Sequence, residues 1–221
     1  MAPVKRVLVS WSSGKDSAWT LHVLRTDPSV ELVGLLTTVN TTHDRVAMHA
    51  VRRELLEAQA RAAGLPLRIV PLPWPCPNEA YEEAMRKAMA QAEAEGVTHV
   101  AFGDLFLEDV RAYRIEKLRQ TRLEPIFPIW GQPTADLARR MVDAGVEAVL
   151  TCVDPRKLDR SFAGRRFDHG LLDDLPPGVD PCGENGEFHT FVLAGPMLRG
   201  RVLVSVGEIV ERDGFVFADL Y

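Results

Sequence analysis

Six consecutive residues, Ser12, Ser13, Gly14, Lys15, Asp16 and Ser17, combine three hydroxyls, a cation and a carboxylate. They follow the apolar run Val7, Leu8, Val9, which reads as a strand, and precede residues 18–24, whose apolar spacing is helical. A strand that enters a helix through a short polar turn aims backbone N–H groups and a helix N-terminus at one spot, where an anion is stabilised. Hydroxyls and amides suit phosphate oxygens. A carboxylate beside them repels phosphate unless Mg²⁺ lies between, so Asp16 is expected on the metal side. A plainer alternative is a capped helix, with Ser12 or Ser13 as N-cap and Asp16 favouring the helix dipole.

A second dense segment is Cys182, Gly183, Glu184, Asn185, Gly186, Glu187, Phe188, His189 and Thr190. Its glycines permit close backbone approach to a ligand, and Glu184, Glu187 and His189 suit ammonium binding or proton transfer. Taken alone, a surface hairpin with solvated carboxylates explains these residues equally well. Gly103 and Asp104 follow a short apolar run, and Arg111 and Arg114 lie three apart on one helix face. The arginines can meet phosphate or a substrate carboxylate, or form a solvated face. Thr37 and Thr38 end another apolar run, close to where adenine is expected. His49 opens a helix near the same edge and can equally cap or pack. Cys152, His169, Cys182 and His189 fit no standard zinc spacing.

These residues need elements to carry them. Strands are expected at residues 4–11, 31–38, 67–70 and 99–102, alternating with helices at 17–25, 48–63, 78–95 and 108–122. A short strand at 124–129, a helix at 134–144 and a strand at 146–153 follow. Such alternation predicts an α/β fold with a doubly wound, mostly parallel sheet whose ligand sits at the C-terminal strand ends. Residues 72–77 carry three prolines and read as an ordered loop near that edge. From Asp154 the texture changes to Pro- and Gly-rich loops. Hairpin strands are expected at 188–193, 201–210 and 214–218, with Asp213 and Gly214 as a turn. The expected division is a nucleotide-binding domain, 1–153, and a smaller α+β lobe, 154–221, that closes over the nucleotide edge.

The chain has 221 residues, 46% of them hydrophobic, which supports one large core or two small ones. A net charge of -5 argues against nucleic-acid binding through bulk charge. The chain begins almost at once with a strand, so no signal peptide is expected, and no apolar run is long enough to span a bilayer. Three cysteines without a C-x-x-C pair suit a reducing cytoplasm.

Residues 12–17 lack the spacing of the common P-loop. They resemble the Ser-Gly-Gly-x-Asp-Ser loop of the N-type ATP pyrophosphatases, with Ser13 in place of a glycine. Across nearly the whole chain the markers resemble the diphthine–ammonia ligase family, a branch of those enzymes. After the loop come Gly103 and Asp104, then Arg111, Arg114 and Glu116, then Pro125 through Trp130, and Leu137. Residues 183–190 resemble the family's Gly-Glu-Gly-Gly-Glu-Tyr/Phe-x-Thr signature, with Asn185 in place of a glycine.

The resemblance implies a HUP-type, Rossmann-like sheet and an AMP- and pyrophosphate-forming amide ligase using ATP and Mg²⁺. ATP would adenylate the carboxylate of diphthine, a modified histidine on elongation factor 2 in archaea and eukaryotes, and ammonia, drawn from free ammonium, would displace AMP. Lys15, Asp16, Glu184, Glu187 and His189 are then expected to be catalytic. Residues 12–17, Thr37, Thr38, Gly103 and Asp104 would hold the nucleotide, with Asp16 on the metal. Arg111, Arg114, Gly183, Asn185, Gly186 and Thr190 would hold the substrate. A bacterial source would require another acceptor, and a homodimer is compatible with the sequence. The other readings weighed are a tRNA-thiolation enzyme, for which Cys152 and Cys182 are available, and a non-catalytic ATP-binding sensor.

Overall fold

The computed structural model describes residues 3–42, 45–46 and 51–221. His49, and the helix start expected at Met48, lie outside the described residues. Strand β1 (Lys5–Ser10) occupies the centre of the first sheet, between the parallel partners β2 (Val30–Asn40) and β5 (His99–Ala101). A strand with two parallel neighbours is covered on both faces and reads as a continuous apolar run. Val7, Leu8 and Val9 accordingly have no exposed surface. Outward from β2 lies β4 (Leu67–Leu72), and outward from β5 lies β6 (Glu124–Ile126), both parallel. The short β3 (Arg45–Val46) pairs antiparallel with the end of β2.

The period-2 alternation of β1 divides the packing. Val7 and Val9 join a core containing Ala18, Leu21 and Leu24 of α1 (Lys15–Arg25) and Leu56, Ala60 and Ala63 of α2 (Arg53–Ala63). Leu8 faces the other way, toward Met89 and Ala92 of α3 (Asn78–Ala94) and Leu118 of α4 (Glu108–Leu118). Helices therefore cover both faces, and the order of parallel strands reverses between β1 and β5. Ligands of such sheets bind in the crevice at that reversal. Residues 12–17 and Gly103 flank it.

The second sheet is antiparallel, in the order β8 (Phe188–Ala194), β7 (Glu147–Val153), β10 (Phe215–Leu220), β9 (Val206–Arg212). Strand β7, grouped by sequence with the parallel strands, thus belongs to this sheet. Six of its seven residues are buried, and a continuous apolar run cannot by itself distinguish a parallel from an antiparallel partner. Residues 201–205 do not extend β9, and α6 (His169–Asp174) had no clear periodic signal. Asp213 and Gly214 do form the turn, both with positive φ. Helix α5 (Thr134–Asp143) buries Leu137, Ala138 and Met141. Val149, Leu150, Phe191 and Val192 of the second sheet share one core with Val7 and Val9 of the first. No helix among the described residues is long and apolar enough to cross a membrane.

Candidate active site

The turn after β1 is held from several directions. Ser13 has a φ of +72°, the left-handed conformation that favours glycine. Its carbonyl accepts the Val192 N–H at 3.0 Å and the Gln59 Nε2–H at 3.0 Å. Gln59 also donates to the Val192 carbonyl at 2.7 Å and accepts the Trp11 indole N–H at 3.0 Å. This fully buried amide therefore ties the turn to β8. Gly14, not a serine, is the N-cap of α1, and it makes no side-chain capping bond. The Ser12 and Ser17 hydroxyls lie 3.1 Å apart, and Ser17 donates to the Gly14 carbonyl at 3.0 Å.

Two contacts bring the second dense segment onto this turn. The Lys15 N–H, one of the donors that a helix start leaves unsatisfied, bonds to Thr190 Oγ1 at 3.1 Å. The Lys15 ammonium donates to the Cys182 carbonyl and to both Asp16 oxygens, at 3.0 and 2.9 Å. It is buried and sits between the Phe167 and Phe188 rings, 5.6 and 5.5 Å from their centroids. Burial alone would lower the Lys15 pKa, but the Asp16 carboxylate overrides it and holds the lysine charged. Lys15 therefore points inward, toward the second sheet. Gly103 explains itself by proximity: a Cβ there would lie 3.0 Å from the Asp16 carbonyl carbon and from the Ser17 nitrogen.

Glu184 Oε1 accepts the Leu105 N–H at 2.7 Å, so residues 183–187 also touch the loop that follows β5. Burial, with Asp16 and Asp104 nearby, lifts the Glu184 pKa to about 7, against the pull of the Leu105 N–H and Lys15. Glu187 is buried. Its Oε1 accepts the Asp180 N–H and the Asn185 amide, each at 3.1 Å, and its Oε2 has no hydrogen-bond partner. Asp180 in turn accepts the Glu184 N–H at 2.8 Å. Gly183 and Gly186 both have positive φ, and a Cβ on Gly183 would lie 2.7 Å from the Phe188 carbonyl oxygen. Burial and the Lys15 charge lower the His189 pKa to about 4, so the imidazole is neutral at pH 7.

The remaining candidates fall on both sides of the crevice. Thr37 is buried under the turn, donating to the Trp11 carbonyl at 2.6 Å, and Thr38 is its half-buried neighbour. Burial raises the Asp104 pKa, and its Oδ2 lies 3.6 Å from Arg114 Nε. Arg114 lies over Phe102, and Arg111 over Phe127 and Trp130. Sequence reasoning missed Gln59, Asp180 and the backbone of Leu105 and Cys182. Gln59 had a usable signal, as the polar residue on an otherwise apolar stripe of Leu55, Leu56, Ala60 and Ala63. The backbone partners had none.

The donor set accommodates Mg²⁺. Among the described residues no three His, Cys, Asp or Glu side chains form a ready-made cage. Mg²⁺ commonly needs only one or two carboxylates, with phosphate oxygens and water completing its shell. Asp16, one-quarter exposed, and Asp104, whose buried Oδ2 has no hydrogen-bond partner, are oxygen donors of that kind on adjacent strand ends.

Residues 5–122 match the family model of the diphthamide synthase N-terminal domain, and residues 133–218 match that of the C-terminal domain. Among curated proteins, the chain is 26% identical over 235 residues to a diphthine–ammonia ligase of Bos taurus, covering 96% of this chain and 88% of that protein. It is 28% identical over 149 residues to those of Rattus norvegicus and Homo sapiens, covering 65% of this chain and 55% of each. The chain thus spans nearly all of the bovine relative and about half of the rat and human ones.

Proposed function

The chain belongs to the diphthamide synthase family, and from that membership we propose that it is an ATP-dependent amide ligase that adenylates a carboxylate and releases it to ammonia. The acceptor in this reading is the carboxylate of diphthine, a reading supported by relatives named diphthine–ammonia ligase. One observation carries the assignment to this site: Lys15 bonds through its N–H to Thr190 and through its ammonium to Cys182, so both dense sequence segments meet at one residue.

In this reading the triphosphate lies on the start of α1, where Ser12, Ser13, Gly14, Asp16 and Ser17 offer amides and hydroxyls, and adenine lies near Thr37, Thr38 and Gly103. Asp16 and Asp104 would hold Mg²⁺, which when bound withdraws charge from the pyrophosphate leaving group. Lys15 serves by fixing Asp16, since its ammonium is already engaged. Arg111 and Arg114 face the acceptor, beyond β5. Glu184 and Glu187, with neutral His189, Asn185, Gly183 and Gly186, receive ammonium. Glu184, with a pKa near 7, can take a proton from ammonium and so free the nitrogen lone pair that attacks the acyl group. We assign nucleotide binding to residues 1–153, whose α4 also faces the acceptor, and the ammonium side to 154–221.

Thiol chemistry on a tRNA base finds less support. Burial raises the Cys152 pKa to about 12 and that of Cys182 further, which keeps both as thiols rather than reactive thiolates. The test is pyrophosphate release from Mg·ATP with ammonium and a diphthine-bearing protein. Wild type should release pyrophosphate only with the acceptor present, and Glu187→Gln should bind ATP normally yet form no amide. Normal turnover by Glu187→Gln, or no acceptor dependence in wild type, would defeat the assignment.

A further inference from the structure

The two arginines of α4 differ in what they face. Arg114 Nε lies 3.6 Å from the Asp104 carboxylate, and its guanidinium covers the Phe102 ring at 5.1 Å. Arg111 has no carboxylate partner among the described residues, and its buried Nε, like that of Arg114, has no hydrogen-bond partner. It lies beside two rings packed edge-to-face, 4.6 Å from the Trp130 centroid and 5.3 Å from that of Phe127. Phe127 stacks on Phe102 at 5.7 Å, so Arg114, Phe102, Phe127, Arg111 and Trp130 form one continuous ladder. A buried N–H without a partner is costly, and a guanidinium held over rings by its charge keeps its remaining N–H groups for an anion.

The ladder reaches the reacting side of the crevice through two backbone links. Glu184 holds the Leu105 N–H, and the Leu105 carbonyl accepts the N–H of Gly131, the residue after Trp130, at 2.8 Å. The phosphate-binding turn lies on the other side of Gly103, against Asp16 and Ser17. An acceptor carboxylate entering this crevice meets Asp16, Asp104 and, when ionised, Glu184 as well as the ATP phosphates, so a neighbouring cation favours its binding. We propose that Arg111 is the receptor for the acceptor's carboxylate, binding it edge-on with two parallel hydrogen bonds, and that Arg114 is a positioning residue for Asp104. This rests on the ligase reading above and narrows it to a division of labour within one helix face.

Nucleotide phosphate is the competing source of an oxyanion, and the test separates the two. Arg111→Met should raise the KM for the diphthine-bearing acceptor by about tenfold or more while the Kd of Mg·ATP stays within about twofold. Arg111→Lys should not restore it, since an ammonium lacks the planar fork, whereas added methylguanidine should partly rescue Arg111→Met. Arg114→Met should instead weaken Mg·ATP binding, because Asp104 is released. A weakened Mg·ATP Kd with unchanged acceptor KM in Arg111→Met would make Arg111 a phosphate ligand and overturn the proposal; no change in either would make it a solvated face. A separate arm needs no turnover. Glutarate should change the tryptophan fluorescence of wild type, and Arg111→Met and Trp130→Phe should abolish the change. If wild type fails to use diphthine but keeps this response, the ligase reading falls and the carboxylate receptor stands. If glutarate gives no response, the receptor falls.

Discussion

The two glycine-bearing segments of the site are built to opposite ends. In residues 12–17 the polar groups are largely engaged, the buried Ser13 hydroxyl excepted: Ser12 with Ser17, Ser13 through its carbonyl, Lys15 with Asp16, Cys182 and Thr190. In residues 183–187 and their neighbours several groups are held short of satisfaction. Glu187 Oε2 and Asp104 Oδ2 are buried without hydrogen bonds, and Glu184 carries a pKa near 7. Buried polar atoms are normally paired, so unpaired ones mark either strain or a ligand's place. The first segment is a preorganised cradle, which suits phosphates that only need holding. The second keeps spare capacity, which suits groups that change protonation or partner during a reaction.

The largest test of this contrast removes the clamp in the first segment. Asp16→Ala leaves the Lys15 ammonium buried with the Cys182 carbonyl as its remaining hydrogen-bond partner. It should cost about 3 kcal/mol in urea unfolding, as breaking a buried ion pair does. Adding Lys15→Met should recover most of that loss, because an apolar side chain between Phe167 and Phe188 needs no counter-charge. A loss below about 1 kcal/mol would show that the turn is not clamped from within.

Glu184→Gln probes the second segment through pH. Folded Glu184 keeps its proton to about pH 7, while its ordinary value is 4.5. The folded state therefore binds more protons across that window, and this group's contribution to stability falls as pH rises from 4.5 to 7. Wild type should lose stability relative to Glu184→Gln over this range and gain amide-forming rate as pH rises through 7. The variant should lack that limb of the rate profile. Groups facing Glu184 are Asp16, Asp104, Lys15 and the Leu105 N–H, and an unchanged rate profile in Glu184→Gln would assign the titration to Asp16 or Asp104, both raised by burial, instead.

Ser13→Gly is the smallest change. It relieves a left-handed backbone and removes a buried hydroxyl without a hydrogen bond, so it should stabilise the fold by about 1 kcal/mol with Mg·ATP affinity unchanged. A loss of affinity would instead give the Ser13 hydroxyl a place in phosphate binding.

Sequence alone carried the parallel sheet and the strand–turn–helix at residues 12–17, because both are written in local periodicity: a buried apolar run, a polar turn, a helical stripe. It also singled out residues 183–190 by their density of polar side chains, and the fold sets that segment against the start of α1. It could not decide which sheet takes β7, since six buried residues in seven satisfy either pairing. Nor could it decide that Lys15 turns inward to a carbonyl 167 residues away rather than outward to a phosphate. The carbonyl of Cys182 and the N–H of Leu105 belong to every residue's backbone and leave no mark in residue type. Only the folded chain, by bringing β8 against the start of α1, determines which of them meet Lys15 and Glu184, and so which charges at this site are spent and which remain available.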